Sequence, residues 1–597
     1  MTLVDTLNKA FQNYQAGKLQ AASKLCRQAR KKAGRDHPDV LRLSGMVARK
    51  MGEFSKAEKF LKQALVIAPG HHEARNVLGL AYLDMGKSEE AASEFELSIQ
   101  SKTDYLPAIL NLSRAWLQTG KQDKSVDLLK NLIRKGGNTA EIWTAYARAL
   151  QASDQIELSM QALNKALSLD SSYGPAICDL SAPLLEAGKA ESVLGIATKA
   201  SRDPAVSYLR LRALFDLQRN EEALELGQDI LSASPNHTEA LKACSQMLWM
   251  TGRGEEIPTL FETALSEGGQ NEGVFLHYMK TLTQMGQEEA ALDIGKRAQE
   301  KCGRTPRIDY LIADALIESG DGETALKHAE KAAQSDPDDV ILACNFARSL
   351  LMVGQGQDAL KTIRHARSIV PDDQFWVAME GTALRQLGDS KYDDLMRFEE
   401  FAKPYELAAP RGYASIDDFN KALLETLLEL HKFAQCPLDQ SLRLGSQTSM
   451  DIKRSDDPVL KSFFEALNDP ISEYIGSMKA GAQHPLLSRK NEKFHLSGAW
   501  SVKLGPMGNH VSHVHPEGWI SSAYYVDVPE QVSGAEDREG WIYFGAPPFK
   551  VPNASTPEHY IEPKPGCLAL FPSYMWHGTV PIKSGMRVTI AYDVVPG

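Results

Sequence analysis

Along the first 390 residues, apolar and small residues recur at the three- and four-residue spacing of an amphipathic helix, and the pattern is interrupted at regular intervals. Each interruption is a turn position, usually glycine, that follows one helical stretch and precedes a small residue about five positions on. Gly17, Gly52, Gly86, Gly120, Asp154, Gly188, Asn220, Gly252, Gly286, Gly320, Gly354 and Gly388 fit; most intervals are 34 residues, the first is 35 and the two flanking Asn220 are 32. Glycine takes the left-handed conformation that ends a helix without Cβ strain, and Asn or Asp is the next-best residue there. Residues 73–106 show the two helices of one unit: Leu78, Gly79 and Tyr82 share one face, and Ala91, Ala92 and Phe95 the next. Prolines at 69, 235, 337 and 371 close repeats.

The period breaks after residue 390. Pro404, Pro410 and Gly412 read as a linker. A helix is expected over 416–433, with Asp417 and Asp418 in its first turn and a stripe of leucines; turn and strand character follows in SLRLGSQTSMDI, then a helix over 458–478 interrupted at Pro470. From Phe494 the texture is one of short strands, HLSGAWSVKL, ISSAYYVDV, GWIYFG, CLALF and MRVTIAYDVV, rich in β-branched and aromatic residues and separated by Gly/Pro turns. The expectation is a multi-domain chain: an all-α repeat array over 1–390, buttressing helices over 391–490, and an α+β domain over 491–597 with a double-stranded β-helix (jelly-roll or cupin-like) core.

Composition changes this picture only by exclusion. The chain has 597 residues and a net charge of −11, with no basic tail, so nucleic acid and anionic membrane are not expected partners. No run approaches 18 apolar residues, and the N-terminus reads as an amphipathic helix without a signal-peptide pattern. Seven scattered cysteines form no CxxC pair and read as buried thiols of a reducing compartment, so a cytoplasmic location is expected.

Candidate chemistry is confined to the last hundred residues: His513-Val-His515-Pro-Glu517, then His577, then Arg587. On a strand, residues two apart point the same way, so His513 and His515, or His515 and Glu517, could reach one metal ion, with His577 from a neighbouring strand. Two imidazoles and a carboxylate make the facial triad of a non-haem Fe(II) centre, which favours Glu517; Pro516, which could turn Glu517 away, favours His513. The expectation is that three of the four bind iron. Arg587 suits bidentate pairing with the distal carboxylate of a dicarboxylate co-substrate, and Tyr525 or Tyr524 could add a phenolic hydrogen bond. His510 and His559 read as solvated loop residues, and Trp519 and Trp576 as packing or as a substrate wall.

The repeat resembles the tetratricopeptide repeat in period and in its alternation of small and large residues. That resemblance implies a superhelix with a concave groove, formed by about twelve units, that holds an extended peptide or partner protein. The segments HVHPEGWISSAYYVDVP and PKPGCLALFPSYMWHGTVPIKSGMRVTIAYDV resemble the 2-oxoglutarate/Fe(II)-dependent oxygenases of bacteria, often fused to such repeats, and Leu444–Thr448 resembles their N-terminal portion. The resemblance implies Fe(II) and 2-oxoglutarate as cofactor and co-substrate, O₂ as oxidant, succinate and CO₂ as products, and a hydroxylated substrate. The expected function is a 2-oxoglutarate dioxygenase acting on a protein or peptide held by the array, in a chain able to form homo-oligomers. The alternatives are a small-molecule oxygenase whose array serves assembly, and a non-catalytic adaptor with a degenerate cupin-like domain.

Overall fold

In the computed structural model, the described residues are 2–597 apart from 34–36, 201–202, 432, 434, 439, 449–450, 480 and 482. They divide into two compact units, Met1–Leu209 and Arg210–Gly597.

The first unit is a run of antiparallel helix pairs. Helices His72–Asp84 and Ser88–Ser101 make one repeat. Between them Gly86 sits at φ 74°, and the Lys87 N–H reaches back to the Tyr82 carbonyl at 2.8 Å, which satisfies a carbonyl the helix end would orphan. Gly79 is required by proximity: a Cβ there would lie 2.5 Å from the Phe95 ring, so the missing side chain is what lets the two helices close. Leu78, Tyr82, Ala91, Ala92 and Phe95 are all buried in the resulting core. Gly17, Gly52, Gly120, Asp154 and Gly188 adopt the same left-handed turn.

Arg210–Gly597 begins with further repeats, and here one turn differs from expectation. Asn220 is the first residue of helix Asn220–Ala233, and the left-handed residue is Gln218, at φ 59°. Gln218 lies 34 residues before Gly252 and 30 after Gly188, so one shortened unit replaces the two irregular intervals expected from the spacing of turn residues. The preference for Asn in this conformation is worth little against the helix-capping geometry around it. The last helix of the array, Gln374–Leu387, ends at left-handed Gly388.

The strands are β1 (Lys403–Glu406), β2 (Leu442–Gln447), β3 (Phe494–His510), β4 (Ile520–Asp527), β5 (Ile542–Phe544), β6 (His559–Ile561), β7 (Cys567–Pro572), β8 (His577–Thr579) and β9 (Arg587–Pro596). They form two antiparallel sheets, six-stranded in the order β1-β7-β4-β9-β3-β2 and three-stranded in the order β6-β5-β8. Pro404, expected in a linker, lies on β1; β1 is an edge strand, where a missing N–H costs no ladder bond. The helix expected over 458–478 is two helices, Pro458–Ala466 and Asn468–Ser477, that meet at Leu467; Pro470 sits in the first turn of the second, where proline is tolerated. Helix Ile416–Leu430 lies against the face of β4 that carries Tyr524, whose hydroxyl donates to Asn420 Oδ1 at 2.7 Å, and Phe463 of the next helix packs on the same tyrosine ring.

Helix Gln374–Leu387 packs directly on these sheets. Trp576 Nε1 donates to Thr382 Oγ1 at 2.9 Å, and the Gln374 N–H donates to the Pro516 carbonyl at 2.9 Å. Arg385 donates to the carbonyls of Gly545 and Ala554 and pairs with Glu558 at 3.2 Å. Phe375 meets Trp576 edge to face, and Arg348 lies over the Phe549 ring.

Candidate metal and co-substrate site

The opposite face of the six-stranded sheet carries a cavity of about 420 Å³. Strand alternation fills it: Arg587, Thr589, Ala591 and Asp593 at every second position of β9, Trp500 and Val502 on β3, Tyr525 on β4 and Gln447 on β2. Register aligns them, with Thr589 opposite both Val502 and Tyr525, and Asp593 opposite Ser521.

His513 and His515 lie on the segment after β3, not within a strand. A two-way backbone bridge between His513 and His577, at 2.9 and 3.0 Å, ties that segment to β8, and the His515 N–H binds the Ser573 carbonyl at 3.1 Å. The result is a cluster of three imidazoles whose ligand atoms all fall within 4.8 Å of one another. Each ring has its Nδ1 against an oxygen that can only accept: His513 on the Val511 carbonyl at 2.9 Å, His577 on the Met575 carbonyl at 2.9 Å, and His515 on the Asp593 carboxylate at 2.6 Å. Nδ1 therefore carries a proton in all three, which in a neutral ring leaves Nε2 as the lone pair. Burial, and after it the neighbouring imidazoles, push His513 down to about 3 and His577 well below the ordinary imidazole range, so these rings are neutral donors.

Glu517 is not in this group. Pro516 starts a turn, closed by the Gly518 N–H on the His515 carbonyl at 3.2 Å, that carries Glu517 to an exposed position at the cavity mouth. The carboxylate that touches the cluster is Asp593, behind His515, where it also accepts from Ser521 Oγ at 2.7 Å. Neither the motif nor its spacing marked Asp593, although it stands an even number of residues after Arg587 and so on the same strand face.

Arg587 is 2 % exposed. Its guanidinium donates to the Gly540 carbonyl at 2.5 Å and to Thr579 Oγ1 at 3.4 Å, and among the described residues no carboxylate pairs with it. Its buried Nε and the buried Tyr525 hydroxyl both lack a partner. Burial lowers the arginine and raises the tyrosine, which stays protonated and able to donate. A buried cation without a counter-charge is costly, so these orphaned donors fit a carboxylate ligand. Tyr524 is on the far face of β4, bound to Asn420, and cannot share that role.

His510, expected in solvent, ends β3 and lines the cavity, its Nδ1 3.0 Å from Ser441 Oγ. His559 is held on β6 against Phe398 and Phe544. Trp519 and Trp576 are packing residues: each is buried, with its indole N–H bound to Leu486 O and Thr382 Oγ1 respectively.

Residues 498–593 match the family described as "Putative 2OG-Fe(II) oxygenase", and residues 42–105 and 140–173 match tetratricopeptide repeats. No curated protein matches the chain. Among solved structures, yeast Tom70 is similar at 13% identity and TM-score 0.36, over 67% of this chain and 99% of that one. A tetratricopeptide-repeat protein of Thermus thermophilus is similar at 22% identity and TM-score 0.28, over 31% and 100%.

Proposed function

From a chain that joins tetratricopeptide repeats to a C-terminal 2OG-Fe(II) oxygenase domain, we propose a 2-oxoglutarate-dependent hydroxylase of polypeptide substrates, working in the cytoplasm. The observation that carries the reading is the pairing, in one cavity, of three convergent imidazoles with a buried arginine that has no counter-ion among the described residues. His513, His515 and His577 would hold Fe(II); Arg587 and Tyr525 would hold the distal carboxylate of 2-oxoglutarate. Bound iron, with O₂, supplies oxidative decarboxylation of 2-oxoglutarate to succinate and CO₂, with the second oxygen atom entering a substrate C–H bond. The protein's part is placement. Arg587 fixes the charged end of the co-substrate by paired N–H donors, and the Tyr525 hydroxyl donates to the same group. The carbonyls of Val511 and Met575 and the carboxylate of Asp593 keep the three rings in the tautomer that offers Nε2.

A polypeptide substrate is favoured because the family of the N-terminal repeats is one of protein-binding modules, and their length exceeds what a small substrate requires. The seven cysteines, all free, support a reducing compartment. No described helix is long and apolar enough to cross a membrane. The test is succinate formation by the full chain from 2-oxoglutarate, Fe(II) and O₂. Arg587→Ala should weaken 2-oxoglutarate by about 2–5 kcal/mol, since it removes one side of a buried charge pair. Absence of succinate above an iron-free control, with iron bound, would sink the reading.

A further inference from the structure

The two segments that bear the histidines are each held from outside the catalytic sheets, and by the same helix. Pro516, next to His515, accepts a hydrogen bond from the Gln374 N–H at 2.9 Å. Trp576, next to His577, donates its indole N–H to Thr382 Oγ1 at 2.9 Å, while that hydroxyl donates to the Ala378 carbonyl at 3.0 Å. A third tie runs through Arg385 to the Gly545 carbonyl at 3.0 Å; Gly545 N in turn binds the Trp576 carbonyl at 2.9 Å, and Phe544 pairs with His577 on β5 and β8. Gln374, Thr382 and Trp576 are all buried.

We infer that helix Gln374–Leu387, the last of the repeat array, is a structural member of the metal site: it sets the spacing of the His513–His515 segment and the His577 strand, and so couples the array to metal affinity. The inference rests on the metal reading above. Three ligands from two separate segments bind an ion well only if the segments are already in register. Within that frame the helix is a common rail, bonded near its N-terminus to one segment and a little more than two turns later to the other. Coupling of this kind is reciprocal, so a metal ion that pins the two segments also strengthens the docking of the helix, and a ligand that displaces the helix weakens the metal. Gln374, Thr382 and Arg385 are therefore positioning residues.

The test uses Co(II) as a spectroscopic probe, titrated into the metal-free full chain under anaerobic conditions, with affinity read from its visible absorption. Thr382→Val keeps the side-chain shape and removes the acceptor. Gln374→Pro removes the N–H that reaches Pro516, at the first position of the helix, where proline is tolerated. Each variant should weaken Co(II) about fivefold, the worth of one lost hydrogen bond, and the double variant more. The intensity pattern of the Co(II) bands should also broaden, a change a merely destabilised fold would not give. His577→Ala is the reference. If it loses Co(II) while Thr382→Val and the double variant bind like the parent, the coupling is overturned and the metal site stands. If His577→Ala also binds like the parent, it is the metal reading that falls. Should Gln374→Pro fail to fold, Thr382→Val decides alone.

Discussion

Asp593 shows how much a single side chain can do from behind the histidine cluster. It accepts from His515 Nδ1 and from Ser521 and carries the negative charge that touches the histidine cluster, while Glu517 faces solvent. Asp593→Asn retains a carbonyl oxygen to hold the tautomer but removes the charge, so metal affinity should fall by about tenfold, with Glu517→Gln unchanged. Equal losses in the two variants would return Glu517 to the ligand set. Away from the cluster, buried His431 bonds Ser446 Oγ at 2.9 Å and Ser501 Oγ at 3.0 Å, and burial, with Lys503 after it, lowers it to about 4. Its folded value lies below the unfolded one of about 6.5, so the unfolded chain takes up the proton first. His431 therefore adds a stability loss that grows as pH falls from about 6.5 to 4 and reaches about 3 kcal/mol. Denaturation of the parent across that window should be steeper with pH than that of His431→Gln.

At the scale of elements, the repeat's small residues have two distinct uses that one substitution type separates. Gly79→Ala places a Cβ 2.5 Å from the Phe95 ring and should destabilise by about 1–3 kcal/mol from overpacking. Gly195→Ala, within helix Ala190–Ala197 and with nothing within 4 Å, should instead stabilise by up to about 1 kcal/mol. Scanning calorimetry of the two full-length variants should show midpoints moving in opposite directions. Spacing alone made the helix pairs and their glycine turns legible, because period and left-handed geometry are local properties. It placed one turn at Asn220 instead of Gln218, because which residue of a short loop goes left-handed depends on the cap around it. Strands β3, β4, β5, β7 and β9 were legible from their β-branched and aromatic runs, and β2 from the turn and strand character around it. Three-residue β6 and β8 were not, nor was β1 with its proline, because they exist only through pairing. At the site the sequence held the histidines and the arginine. The choice between His513 and Glu517 depended on the turn at Pro516, and Asp593 on register; neither is a motif.

For the whole molecule, the consequence is that the C-terminal sheet domain does not begin where the repeats end. A chain cut to 391–597 would lack helix Gln374–Leu387, expose Trp576 and Phe549, and leave Glu558 without its Arg385 ion pair. It should be poorly soluble and bind Co(II) weakly, whereas 210–597, which keeps a compact unit whole, should match the full chain in both. Gel filtration and Co(II) titration of the two fragments decide the matter; a monodisperse 391–597 with full affinity would refute it. The sheet's two borders also bear on how the protein behaves in a crowded solution. β1 is four residues long with Pro404 and Lys403, and β2 is kinked by left-handed Leu444 at a register break. Both are poor templates for a strand from another chain, so the sheet resists edge-to-edge aggregation. Straightening either border, by Pro404→Val or a bulge-removing deletion at Leu444, would give a strand from another chain a place to pair and so a nucleus for self-association.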